Sequence, residues 1–144
     1  MIGGLDRPSL KVNAGWQSQR GTKRMARILL ADDDAAVRDL VKRALTSEGH
    51  NVHVTQDGLE ALDYLTMHPV EIDILVTDVD MPGLDGLSLA EKALHLKPRL
   101  GIVLMSGFSD QLDRAKALKA HRLASISKPF TLEQIKTMVR SVLN

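Results

Sequence analysis

The strongest constraint on this chain is a strict alternation. Five short apolar runs are each followed by a stretch whose apolar residues recur at helical spacing. Arg27–Ala31 reads as a buried strand, and Val37, Leu40, Val41, Ala44 and Leu45 share one face of a helix that Gly49 ends. Val52 and Val54 flank His53 in a brief second strand. Asp57-Gly-Leu-Glu60 has the form of a capping box, opening a second helix with Leu62 and Leu65 turned inward. Ile72, Ile74, Leu75 and Val76 make a third strand, and after a loop over Asp78–Asp85, Leu87, Ala90, Ala93 and Leu94 mark a third helix. Ile102–Met105 is a fourth strand, Asp110–Ala120 a less regular fourth helix, and Leu123–Ser127 a weakly patterned fifth strand. Thr131-Leu-Glu-Gln134 is a second capping box, and Ile135, Met138, Val139 and Val142 mark the fifth helix. Five strand–helix pairs imply an α/β fold: a five-stranded parallel, doubly wound sheet with right-handed crossovers and helices on both faces.

Residues 25–144 are expected to form this one domain. Residues 1–24 lack sustained periodicity and are read as a flexible basic leader, carrying Arg7, Lys11, Arg20, Lys23 and Arg24 against Asp6. The leader's net charge of +4 leaves −3 on the remaining 120 residues, so the domain has no basic stripe for a nucleic-acid backbone. No apolar run approaches the roughly 20 residues of a spanning helix. There is no secretory signal and no cysteine, which points to a cytoplasmic protein without disulfide or thiol chemistry.

In doubly wound sheets the functional crevice lies beyond the carboxyl ends of the strands. There this sequence places Asp32 and Asp33 after strand one, Asp78 after strand three, Ser106 after strand four and Lys128 after strand five. Carboxylates crowded at one sheet edge repel one another, and a single cation among Asp32, Asp33 and Asp78 would reverse that sign. Oxygen-only ligands suit Mg²⁺, and the lack of a nearby His or Cys argues against zinc. Such a site is arranged for phosphoryl transfer. Asp78 is the candidate nucleophile, since it ends the most apolar strand. Lys128 would pair with the phosphoryl oxygens and Ser106 would hydrogen-bond to one of them. Asp34 reads as a helix N-cap. Gly83, Asp85 and Gly86 read as loop geometry and capping. The five histidines show no ligand spacing, and Phe130 is expected to pack under the last helix.

The segments ILLADDD, LVTDVDMPGLDG, VLMSG and SKPF, in this order and spacing, resemble the CheY-like receiver domain of two-component response regulators over residues 26–143. The resemblance implies a flavodoxin-like strand order 2-1-3-4-5 and phosphorylation of Asp78. It also implies Mg²⁺ held by Asp32, Asp33, Asp78 and the main-chain carbonyl of Asp80. Ser106 and Lys128 would serve as switch hydroxyl and site lysine, and a sensor histidine kinase or phosphotransfer protein would donate the phosphoryl group. Lys128–Pro129 is commonly cis in such domains, and Asp80 and Phe108 occupy positions that tune phosphoryl lifetime. One position departs: Ser125 stands where relatives often carry the Tyr or Phe that moves with the switch hydroxyl. A narrower likeness is to CpdR-type adaptors.

The expected function is a single-domain, Mg²⁺-dependent phosphoryl acceptor, not an enzyme, whose output is binding to another protein. Because the chain stops at Asn144, after the fifth helix, no output domain is expected on it. A phosphorylation-independent interaction module of the same fold is the alternative, motivated by Ser125. A phosphatase of the haloacid-dehalogenase sort also attacks through Asp, but its Asp-x-Asp follows the first strand, whereas Asp78-Val-Asp80 follows the third.

Overall fold

The computed structural model describes residues 25–107 and 113–143, so the leader, Phe108 and the start of the predicted fourth helix lie outside the described residues. The strands are β1 (Arg27–Ala31), β2 (Asn51–Thr55), β3 (Ile74–Asp78), β4 (Gly101–Ser106) and β5 (Arg122–Ser127). All pair in parallel, in the order β2-β1-β3-β4-β5. The helices are α1 (Ala35–Ser47), α2 (Gly58–Met67) and α3 (Gly86–Leu96), then the helical residues 113–115 as α4, and α5 (Leu132–Ser141).

The apolar runs bury both faces of the sheet, as parallel strands covered by helices must. Leu29, Ala31, Leu75, Ile102 and Leu104 point to one face, where Ala61 and Leu65 of α2 and Leu89, Ala90 and Ala93 of α3 cover them. Ile28, Leu30, Ile74, Val76, Val103 and Met105 point to the other, against Val41, Ala44 and Leu45 of α1 and Ile135 and Val139 of α5. Each fully buried Leu or Ile contributes ~1.5–3 kcal/mol of transfer free energy.

The helix starts follow their capping residues. Asp34 accepts from the Ala36 and Val37 amides, Asp85 from Ser88, and Thr131 and Gln134 form a complete reciprocal box. The Asp57 box is altered: Asp57 accepts from Glu60, but the Glu60 carboxylate reaches past it to the Gln56 amide. Leu40 also differs from its expected role, being 38% exposed, because the width of the α1 core face is filled by Val41, Ala44 and Leu45. The fourth helix ends earlier than read from sequence, since residues 116–118 turn and 119–120 are irregular. Phe130 packs against the α1–α5 side of the core as expected.

A shallow cleft opens at the amino ends of the strands, and Met25, Asp73, Arg122 and Leu143 are among the residues that line it. At the carboxyl ends, Gly86 begins α3 so close to β3 that a Cβ there would overlap the main-chain carbonyl of Asp78. Gly86→Ala is therefore expected to cost about 1–3 kcal/mol, the usual penalty of overpacking, read as a lower urea midpoint with unchanged slope. An unchanged midpoint would contradict this close packing.

Candidate functional site

The twofold alternation of the strands sends their side chains into the core, and only where each strand ends can a polar side chain leave it. Asp78 is the last residue of β3 and Asp32 directly follows β1. Both are buried, whereas the next residue, Asp33, is exposed. One carboxylate oxygen from each of Asp32, Asp33 and Asp78 lies within 4.8 Å of the other two. Lys128, just past β5, places Nζ 3.3 Å from Asp32 Oδ2 and 3.2 Å from Asp78 Oδ2. Three carboxylates and one ammonium leave the cluster with a net charge of −2.

Ser106 ends β4 and is buried, and its carbonyl accepts from the Lys128 amide at 2.7 Å, which ties the ends of β4 and β5 together. The Asp80 amide donates to Asp78 Oδ1 at 3.2 Å, so the loop folds back over the carboxylate. Asp78 therefore has Oδ1 on a main-chain donor and Oδ2 on the lysine. The Lys128–Pro129 peptide bond is cis. Thus Asp32, Asp33, Asp78, Ser106 and Lys128 all lie at the carboxyl edge of the sheet, with Asp80 beside them. Ser125 sits inside β5, paired with Leu104, and is partly buried.

Two neighbours went unread in the sequence. Arg38 Nη1 donates to the Asp32 carbonyl at 2.8 Å, and Thr77 Oγ1 donates to the Asp78 carbonyl at 2.9 Å. Arg38 was detectable in principle, because it stands one helical turn beyond the Asp34 cap and so faces back toward the loop before it. Three of the histidines belong to packing: His50 accepts from the Ala26 amide at Nδ1, and His53 and His68 stack on Tyr64, while His95 and His121 are exposed.

Burial pushes the Asp78 carboxyl up to about 6, and the charge of Asp32 adds to the rise, while Lys128 and the Asp80 amide oppose it. Asp32 is also raised, again mainly by burial. Burial disfavours the charge on Lys128, but Asp32 and Asp78 outweigh it and raise its pKa. The oxygen-only, net-negative donor set fits a hard divalent cation. Such ions take carboxylates and keep several waters, and this needs no closed protein cage. The same set offers a nucleophilic carboxylate beside a fixed positive charge.

A family model described as the response regulator receiver domain matches residues 28–140. The chain is 36% identical over 117 residues to the response regulator MprA of Mycobacterium sp. (strain KMS), covering 81% of this chain and 50% of that protein. It is 34% identical over 118 residues to the sensor kinase CckA of Brucella abortus (strain 2308), covering 82% of this chain and 12% of that one. The chain thus spans about half the length of the MprA relatives it matches. Among solved structures, the response regulator receiver protein from Sinorhizobium medicae WSM419 aligns with a TM-score of 0.74 at 31% identity. That alignment covers 85% of this chain and 98% of the other.

An acid whose pKa is raised by folding binds its proton more tightly in the fold, so its contribution is complete below the unfolded value of 3.8 and lost as pH rises through 6. Without divalent metal, Asp78→Asn should match wild type in stability near pH 4. It should become the more stable of the two toward pH 7, by up to about 3 kcal/mol. Urea unfolding in EDTA at several pH values measures the gap, and a gap independent of pH would contradict the burial of a charged Asp78.

Proposed function

The chain belongs to the response regulator receiver family of two-component signalling, and on that premise we propose that it accepts a phosphoryl group on Asp78. The observation that carries this reading is the convergence of Asp32, Asp33, Asp78 and Lys128 within a few ångströms at one sheet edge. The donor is a phosphohistidine on a sensor kinase or phosphotransfer protein. An Asp78 carboxylate oxygen attacks phosphorus, the P–N bond breaks, and the departing imidazole retains the electron pair and takes a proton.

Asp32, Asp33 and Asp78, with the Asp80 carbonyl, would hold Mg²⁺. When bound, the ion would supply positive charge that offsets the negative charge of the phosphoryl oxygens. The chain's own part is positioning. Lys128 already stands on Asp78 Oδ2 and needs only a small shift to follow the phosphoryl oxygens. The Asp80 amide orients Oδ1. Ser106, one residue beyond the partner of Asp78 on β4, supplies a hydroxyl at the same strand edge. The phosphorylated form acts by binding another protein and turns over no small phosphate ester.

Ser125 favours a second reading, in which the same surface binds its partner whether or not Asp78 is phosphorylated. In that case Asp78→Asn would leave partner binding unchanged.

With Mg²⁺ and acetyl phosphate or beryllofluoride, wild type should gain one modification or one bound fluoride complex, seen by intact mass or ¹⁹F NMR, and Asp78→Asn none. Equal labelling of the variant, or none of wild type, rejects the proposal. Millimolar Mg²⁺ should raise the wild-type Tm by a few degrees, through linkage to a site present only in the fold. No shift would remove the cation from the mechanism.

A further inference from the structure

We propose that Arg38 is a positioning residue for the divalent-cation site, fixing the peptide group that aims Asp33. The inference rests on the cation-site reading above and adds a residue to it. Of the three clustered carboxylates, two are tethered. Asp32 has Oδ1 on the Asp34 amide at 2.8 Å and Oδ2 on Lys128, and Asp78 is held by Lys128 and the Asp80 amide. The Asp33 carboxylate has no hydrogen-bond or ion-pair partner among the described residues. Its reach toward the other two carboxylates therefore depends on where the backbone places its Cβ.

That backbone is the Asp32–Asp33 peptide, a rigid plane whose orientation is defined once its carbonyl is fixed. Arg38 fixes it, donating from Nη1 to the Asp32 oxygen at 2.8 Å. The arginine is anchored in turn: its amide donates to the Asp34 carbonyl at 2.9 Å, and Asp34 caps the same helix through Ala36 and Val37. Among the described residues the Asp32 amide is held only by a long 3.4 Å bond to the Thr55 carbonyl, so the guanidinium at 2.8 Å is the shorter main-chain restraint on this residue.

Charge and position make opposite demands here. A guanidinium near a cation repels it, so an Arg38 that acted by charge alone would weaken cation binding, and its loss would tighten it. An Arg38 that acts by orienting Asp33 does the reverse. Partners behind metal ligands typically change metal affinity by about 10–100-fold.

The test is Mn²⁺ titration of the full chain by electron paramagnetic resonance for wild type, Arg38→Gln, Arg38→Lys and Asp33→Asn, and for Asp33→Asn combined with Arg38→Gln. Arg38→Gln should bind about tenfold more weakly. Arg38→Lys, which keeps the charge but not the fork, should fall between it and wild type. In the Asp33→Asn background the arginine change should have no further effect, because its route to the ion is gone. The metal-free Tm of Arg38→Gln should stay within a few degrees of wild type. Unchanged or tighter binding by Arg38→Gln, an equal loss in the Asp33→Asn background, or a metal-free unfolding that accounts for the loss would overturn the proposal. Failure of wild type to bind Mn²⁺ would be a different result, since it removes the cation site and this inference with it.

Discussion

The bridge from Lys128 Nζ to Asp32 and Asp78 holds the architecture to its chemistry, because it joins the ends of β1, β3 and β5 across the sheet. At about 3.2 Å and an effective dielectric near 20, each contact is worth roughly 5 kcal/mol of Coulomb attraction. Desolvating each ion costs several kcal/mol in return, and the two carboxylates repel one another. The near balance has a visible result: even with an ammonium in contact, burial keeps the Asp78 carboxyl raised to about 6. The site is thus underneutralised by construction, which is the condition in which a further cation is welcome.

The elements around it divide the labour. Strands bring side chains to one edge, and the turns between strand and helix decide which oxygens face inward. At β1 the turn is pinned by an N-cap and an arginine, and at β3 by the fold-back of Asp80 and by the close approach of Gly86. A functional edge of this kind needs short connections, since each additional loop residue would add freedom that the carboxylates would have to lose.

The inner strands β1, β3 and β4 and the residues standing beyond them followed from periodicity, because burial on both sheet faces leaves an apolar run that polarity interrupts only at the end, whereas the edge strands β2 and β5 are mixed and were legible mainly from the strand–helix alternation. The boundaries of β3 and β5 did not follow as well. Ile72 is buried beside the core yet precedes β3, and Arg122 carries an aliphatic stem that lets a charged residue open β5. Leu40 shows the converse, an apolar residue at helical spacing that the finished α1 leaves 38% exposed. The acidic cluster was readable because each member directly follows or ends a strand. The contribution of Arg38 was less legible: its place one turn beyond the Asp34 cap could be read, but a guanidinium on a main-chain carbonyl leaves no trace in side-chain charge pairing. The Glu60 reach to Gln56 escaped for a similar reason: a capping box read from sequence specifies residue types, not which amide the long side chain selects.

The cleft at the amino ends of the strands is lined by both Met25 and Leu143, so the described chain enters and leaves the domain on the side remote from the carboxylates. A module built this way behaves like a plug with both leads at its back. It can be spliced into a longer polypeptide from either direction while its working edge stays open to a visiting protein. That geometry accommodates what its relatives display, where a similar stretch forms half of one protein and 12% of another.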